Sequence, residues 1–194
     1  MINKEVSRII QSRHSVYPLD FNGCEIEDDI VLQILKNANH APTHRLTQPW
    51  RFTVFMEQGL RDFGQFHAEL YKANAPTDAF SQMKYDKILN RAKLSSAIIV
   101  VGVKKDPFNK VPFLEEIAAT SAAVQNMALM ATAYGLAFYW GTGGMTFSEE
   151  MKLHVGLEAE DQVLGQLFLG YPAGEWPRKT PRKPMEYFTD WRID

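Results

Sequence analysis

The residues best suited to binding chemistry lie close together in one short stretch, residues 40–52. Histidine, arginine, glutamine and tryptophan side chains stand there beside two prolines. Proline fixes its own φ angle and pushes the preceding residue towards extended geometry, so this stretch is predicted to be a stiff polar loop. Such loops frequently carry binding sites. The alternative is an ordered connection in which Trp50 and Phe52 simply enter the core.

Two further segments carry cations suited to phosphate. Arg13, His14 and Ser15 follow the first predicted helix and supply a guanidinium fork, an imidazole and a hydroxyl. The alternative for this segment is a solvated helix end, where arginine suits the helix dipole. The chain's tail carries a second basic group among prolines, which is either a solvated face or a fixed phosphate contact: Arg178, Lys179, Arg182 and Lys183.

A glycine-containing loop completes the set of candidate binding segments. Trp140, Gly141 and Thr142 are followed by two more glycines, which let a ligand approach backbone N–H groups closely. A tight turn is the alternative. Two basic anchors, a donor-rich loop and a glycine loop together suit a planar cofactor with an acceptor-rich edge and a phosphate, and flavin mononucleotide (FMN) answers that description.

Composition excludes several other classes of protein. A net charge of −2 provides no field for nucleic acid or an anionic membrane, and a single cysteine, Cys24, excludes an internal disulfide. No stretch of 18 apolar residues occurs, so we expect a cytoplasmic protein without a membrane or nucleic-acid partner. His40 and His44 are four residues apart, but Pro42 prevents the helix that would align them. We therefore expect no metal site.

Hydrophobic periodicity predicts the elements that must position these segments. Helices are expected over residues 3–12, 27–38, 58–73, 77–93 and 113–135, with a short one capped by Ser148. Strands are expected over residues 52–56, 97–103, 136–140 and 162–169, the second of them buried on both faces. The pattern predicts an α+β or mixed three-layer fold in a single domain, residues 1–194, with an extended tail from about residue 175.

The order of these motifs resembles that of the FMN-dependent nitroreductase family, especially its small bacterial members. The likeness extends from Arg13 to Pro184 and rests on seven motifs in the same order. They are R-x-S after an N-terminal helix, A-P-x-H-x-x-x-Q-P-W-x-F, a buried strand, an alanine-rich helix ending in G, W-G-T-G-G, L-G-Y-P and a terminal R-K-P.

The resemblance implies a nitroreductase-like α+β fold, with a central mixed β-sheet flanked by helices, in an intertwined homodimer. It implies tightly but non-covalently bound FMN at the subunit interface, with hydride chemistry carried by the flavin and no separate catalytic residue. NAD(P)H would reduce the flavin, and a nitroaromatic, quinone or similar small acceptor would reoxidise it in a ping-pong cycle. The implied cofactor contacts are Arg13, His14, Ser15, His40, His44, Trp140, Gly141, Thr142 and Arg182, with His40 and His44 supplied by the partner chain.

Three positions depart from the family pattern. Tyr17 stands where a basic residue is usual, and His40 and Gly141 stand where small members often carry arginine. Phosphate binding then depends more on Arg13 and on the tail, where Lys179, Arg182 and Lys183 are all candidates. Two other functions remain open from the sequence: another flavin enzyme on the same fold, such as a dehydrogenase, reductive dehalogenase or flavin-consuming enzyme, and a non-catalytic FMN-binding protein.

Overall fold

A four-stranded sheet forms the centre of the computed structural model, which describes residues 2–76, 78–176 and 180–193. The strands are β1 (Trp50–Met56), β2 (Ala97–Val103), β3 (Ala137–Gly141) and β4 (Gln162–Gly170), in the spatial order β1-β2-β4-β3. Each neighbouring pair is antiparallel. The parallel component of the expected mixed sheet is confined, within the described residues, to one bridge between Ser15 and Phe138.

Six α-helices accompany the sheet in the described part of the chain. They are α1 (Ile2–Ser12), α2 (Asp28–Ala38), α3 (Glu57–Asn74), α4 (Gln82–Leu94), α5 (Phe113–Ala133) and α6 (Glu149–His154). The predicted start of this fourth helix, at residue 77, was wrong, and α4 begins at Gln82. The N–H groups of Ala79 and Phe80 instead donate to the Pro76 carbonyl in a turn. The hydroxyl of Tyr71 then accepts the Ser81 N–H at 3.0 Å. Ser148 caps α6 as predicted, accepting the Met151 N–H at 3.1 Å.

The two faces of the sheet bury separate apolar cores. On one face, α2 and α5 pack over side chains such as Ile99 and Leu167. On the other face, α3 and α4 cover side chains such as Ile98 and Phe168. Neighbouring residues of one strand therefore face different cores, as the two-residue period of a strand requires. This arrangement explains why β2 is apolar at nearly every position.

The approach of α3 to α4 depends on a glycine. A Cβ atom on Gly64 would lie 2.5 Å from Ala92 Cβ, so the helices would have to separate. We expect Gly64→Ala to destabilise the fold by about 1–3 kcal/mol. Gly59→Ala, in the same helix with no atom within 4 Å of its Cβ, should be neutral or stabilise by up to about 1 kcal/mol. Urea unfolding measures both, and equal effects would contradict this account of the contact.

Large apolar side chains remain exposed at both ends of the chain. None of the 11 residues of α1, all of which the structure describes, is buried, and Ile2 is 81% exposed. In the tail, Trp191 is 77% exposed and Ile193 is 84% exposed. Among the described residues, no helix is both long and apolar enough to span a bilayer.

Candidate functional site

The segment containing Arg13, His14 and Ser15 is fastened to β3. Ser15 forms the parallel bridge with Phe138, and the Val16 N–H donates to the Phe138 carbonyl at 3.2 Å. Because successive residues of an extended segment alternate in direction, His14 is buried whereas Ser15 is exposed. Arg13 is half-buried. Phe138 lies only two residues before Trp140, so the structure brings two of the predicted binding segments side by side.

The beginning of the tail reaches the same place. The indole Nε1–H of Trp176 donates to the Ser12 carbonyl at 2.8 Å, and Thr180 Oγ1 lies 3.4 Å from His14 Nδ1. Arg182, two residues further on, is exposed. The ammonium group of Lys183 lies 3.7 Å from the centroid of the Tyr187 ring. The other two predicted cations, Arg178 and Lys179, lie outside the described residues.

Trp140 is seated on a bulge in β4. The register between β2 and β4 shifts between Val101 and Gly102, which leaves Leu164 as an extra residue beside Gly165. The Trp140 Nε1–H donates to the Leu164 carbonyl at 3.3 Å, and Gly165, with φ +157°, leaves room for the indole. The bulge therefore fixes the orientation of Trp140. Gly141 is buried, whereas Thr142 is exposed.

Tyr17, one of the three positions noted above as departures, forms an aromatic pair with Tyr139. The rings of Tyr17 and Tyr139 lie 4.9 Å apart, and the guanidinium of Arg91 lies 5.8 Å from the centroid of Tyr139. Arg91 belongs to α4, far along the chain from the Arg13 segment. Arg91 could not be predicted as part of this site, because nothing in the residues around it connects α4 with the Arg13 segment.

Residues 40–49 form a loop held by hydrogen bonds, and the remainder of the stretch 40–52 belongs to β1, which begins at Trp50 rather than at the predicted Phe52. Three residues adopt positive φ angles, at 51° for Arg45, 55° for Leu46 and 46° for Gln48. Thr43 Oγ1 accepts the Gln48 N–H at 3.1 Å, and the Trp50 Nε1–H donates to Asn39 Oδ1 at 3.2 Å. Backbone strain of this kind survives only where surrounding contacts enforce it, and it concentrates at functional sites.

The two histidines of this loop lie away from the β3 edge. His44 Nδ1 contacts Glu115 Oε2 at 2.6 Å, at the start of α5, and His40 is exposed. The loop leads into β1, and β1 and β3 form opposite edges of the sheet. Three strand spacings separate these edges by roughly 14 Å. One chain therefore brings Arg13, His14 and Ser15 to Trp140, but does not bring His40 and His44 to them.

The comparison with known proteins identifies the kind of protein. The model of the nitroreductase family matches residues 10–171. The chain belongs to this family. The protein YfhC of Bacillus subtilis (strain 168) is 28% identical to this chain over 176 residues, which cover 89% of this chain and 88% of YfhC. YfhC carries a provisional name as an NAD(P)H nitroreductase. Family membership makes the protein an oxidoreductase and confirms the resemblance drawn from the motifs.

Solved structures confirm the nitroreductase-like α+β fold. A nitroreductase-like protein from Bacillus cereus superposes with a TM-score of 0.78 at 25% identity, over 96% of this chain and 95% of its own. The FMN-dependent nitroreductase NfnB from Mycobacterium smegmatis, solved with NADPH, has a TM-score of 0.74 at 15% identity over 100% of both chains. A nitroreductase from Desulfitobacterium hafniense DCB-2, solved with FMN, has a TM-score of 0.66 at 21% identity, over 97% of this chain and 98% of its own.

A buried polar cluster beside the glycine loop was also not predicted from the sequence. His67 of α3 is 6% exposed and lies near Thr146 and Gln166, both buried. Burial, aided by the nearby Arg91 guanidinium, lowers the pKa of His67 to about 4. Its signal in the sequence is a histidine on the apolar face of a helix and a glutamine within an apolar strand. Within the described residues, no group of three or more His, Cys, Asp or Glu side chains could hold a metal ion.

Proposed function

We propose that the protein is an FMN-dependent NAD(P)H oxidoreductase that passes electrons by a ping-pong cycle to a nitroaromatic, a quinone or a similar small acceptor. One observation carries the proposal: the Arg13 segment, the end of β3 and the beginning of the tail meet at one edge of the sheet. These are the segments that the family resemblance assigns to the cofactor. FMN binding by NfnB and by the D. hafniense enzyme supports the same cofactor here.

The donor set at this edge fits the chemistry of FMN. Arg13 offers a guanidinium for the phosphate, and the exposed Ser15 offers a hydroxyl beside it. Thr142 and the backbone N–H groups of the glycine loop offer neutral donors to the ring edge. Arg182 is exposed two residues after Thr180 and is the tail cation we assign to the phosphate. These residues thus offer cationic donors for one phosphate and neutral donors for one acceptor-rich ring.

The chain's own contribution is binding and orientation, because bound FMN supplies the hydride chemistry. Arg13 and Ser15 would hold the phosphate end, and Trp140, held by the Leu164 carbonyl, would line the ring together with Gly141 and Thr142. Thr142 would offer a hydroxyl to the ring edge. Donors fixed in this way would stabilise negative charge on the bound ring, as in an oxyanion site.

We further propose that two copies complete each other's sites as an intertwined homodimer of single-domain subunits. His40 and His44 lie at the opposite sheet edge from Trp140, so they are assigned to the flavin of the partner. The exposed apolar faces of α1 and of the tail, including Ile2 and Trp191, are surfaces that such a partner would cover. Light scattering of the FMN-loaded protein should give twice the mass of 22.1 kDa, and a monomeric mass would contradict this proposal.

A single absorbance experiment tests the proposed activity. The purified protein should show a flavin band near ~450 nm that NADH or NADPH bleaches anaerobically and an acceptor restores. A protein that binds no added FMN would disprove the proposal. Bound flavin that neither nucleotide reduces would favour another flavin enzyme on this fold, and reduction without turnover of any acceptor would favour a flavin-binding protein. The proposed cytoplasmic location rests on composition and on the single cysteine.

Arg13→Ala should weaken FMN binding. Loss of a charge-assisted contact with phosphate is expected to cost roughly 1.5–3 kcal/mol, or about tenfold to a hundredfold in Kd. Arg8→Ala, which removes an exposed arginine of α1 one turn earlier, serves as the matched control. Fluorescence titration of the apoprotein with FMN measures both. An unchanged Kd for the Arg13 variant would disprove the assignment of Arg13 to the phosphate.

A further inference from the structure

Three buried polar side chains lie beneath the glycine loop, in a core that is largely apolar. His67 projects from α3, Gln166 from β4, and Thr146 from the end of the loop itself. Phe63, Ile98 and Phe168 belong to the same core. Polar groups in such surroundings are costly unless each finds a partner, so their partners indicate what they are for.

Their hydrogen bonds lead to the backbone of the loop. The Met145 N–H donates to His67 Nε2 at 3.3 Å, and the Thr146 hydroxyl donates to the Gly143 carbonyl at 2.6 Å. The amide of Gln166 donates in turn to Thr146 Oγ1 at 2.9 Å. The loop is therefore held at a carbonyl and at an N–H, one on each side of Gly144.

The bond to Met145 also determines the protonation of His67. Nε2 accepts a hydrogen bond, so it carries a lone pair, and the neutral ring must hold its proton on Nδ1. The amide nitrogen of Gln166 lies 3.5 Å from Nδ1, but with both groups donors this contact is not a hydrogen bond, and the Gln166 amide donates to Thr146 Oγ1 instead. Arg91 of α4 lines the same small cavity as His67, and a nearby guanidinium disfavours a charged imidazole. The surroundings therefore keep His67 in the form that can accept from Met145.

Close packing prevents the loop from relaxing inwards. Gly144 has a φ of +70°, and a Cβ atom there would lie 2.8 Å from His67 Nε2. The cavity between His67, Arg91 and the glycines has a volume of only about 30 Å³. That is little more than one water molecule occupies. The backbone conformation at Gly144 and Met145 is thus restricted from the core side by the imidazole.

We propose that His67 is a positioning residue, which holds the loop that follows Trp140 in the conformation that receives the flavin ring. This inference rests on the proposed function, because the resemblance assigns Trp140, Gly141 and Thr142 to the flavin. His67 does not touch the flavin itself. Through Met145, and with Thr146 and Gln166, it holds the donors of the loop in place before the cofactor arrives, which removes the cost of ordering them on binding.

The test compares variants of the FMN-loaded protein. His67→Phe keeps an aromatic ring but removes the acceptor, and should raise the Kd for FMN about tenfold, as expected for a buried N–H left without a partner. The reduction potential of the bound flavin should shift with it. His67→Gln places an acceptor oxygen near the position of Nε2 and should recover most of the affinity. His154→Phe, a control in the same aromatic cluster with a ring 3.7 Å from Phe66, should behave as wild type.

Each outcome is decisive. A folded His67→Phe protein with wild-type Kd and potential would overturn the proposal, as would a loss that His67→Gln does not recover. If His67→Phe does not fold, Thr146→Val removes the bond to the Gly143 carbonyl and should show the same loss. If the wild-type protein binds no FMN, the proposed function fails separately. Amide hydrogen exchange at Met145, which should be faster in His67→Phe, then decides whether His67 holds the loop.

Discussion

Gly165→Ala is expected to destabilise the protein by roughly 3 kcal/mol or more, the largest effect of any single methyl group considered. An added Cβ would overlap Trp140 Nε1 and Cδ1 and would lie 3.1 Å from the Gly141 carbonyl. The φ of +157° at this position is also one that L-residues rarely adopt. Neither conflict can be relieved by a flexible side chain, because the indole is held by the Leu164 carbonyl.

The same substitution should impair the candidate cofactor site. Displacing the Trp140 indole moves the residue that precedes Gly141 and Thr142, so weaker FMN binding should accompany the loss of stability. Urea unfolding and FMN titration measure the two effects. Gly174→Ala is the matched control, since its Cβ would meet no atom within 4 Å. A Gly165 variant as stable as the Gly174 variant would show that the bulge does not constrain Trp140.

His67 should make the stability of the protein fall as the pH decreases from about 6.5 to 4. The pKa of His67 is lowered from its usual value of 6.5 to about 4 by burial and by Arg91. Above pH 6.5 the imidazole is neutral in both the folded and the unfolded protein, so His67 causes no loss of stability there. Between these two pKa values the unfolded chain binds a proton that the folded protein does not bind. The free energy of unfolding therefore falls by about 1.4 kcal/mol per pH unit, and by roughly 3 kcal/mol in total.

Comparing the pH profiles of variants isolates this effect. His67→Phe lacks the ionisable group, so its free energy of unfolding should decline less steeply than that of wild type over this pH range. Burial also lowers the pKa of His154, and His154→Phe therefore serves as the control for the neighbouring histidine. Parallel profiles for wild type and His67→Phe would contradict a buried, neutral His67.

Much of the fold could be predicted because its signals lie in consecutive residues. The apolar run of β2 was placed at its observed bounds, Ala97–Val103, since a strand buried on both faces needs no partner to be identified. Ser148 was assigned as a helix cap from its residue type and position. The predicted start of α4 was wrong, because a turn at Pro76 and a hydrogen bond from the Ser81 N–H to the Tyr71 hydroxyl override the helical pattern.

The candidate site, too, could be predicted only in part. The motifs around Arg13, Trp140 and His44 were sufficient to recognise the family, and their roles towards FMN remain proposals. The sequence could not indicate that His44 and Trp140 lie at opposite sheet edges, because strand order depends on which distant segments pair. For the same reason it could not reveal the contact between the Tyr17 and Tyr139 rings, or the position of Arg91 beside Tyr139.

Most of the elements, their order and the family could be inferred from the amino-acid sequence, because periodicity, capping residues and short motifs act over a few neighbouring residues. How the glycine loop is supported depends on tertiary contacts instead. His67 and Met145 are 78 residues apart, and the bulge under Trp140 arises from the register between β2 and β4. Contacts of this kind depend on how complete elements pack together, which no local pattern encodes.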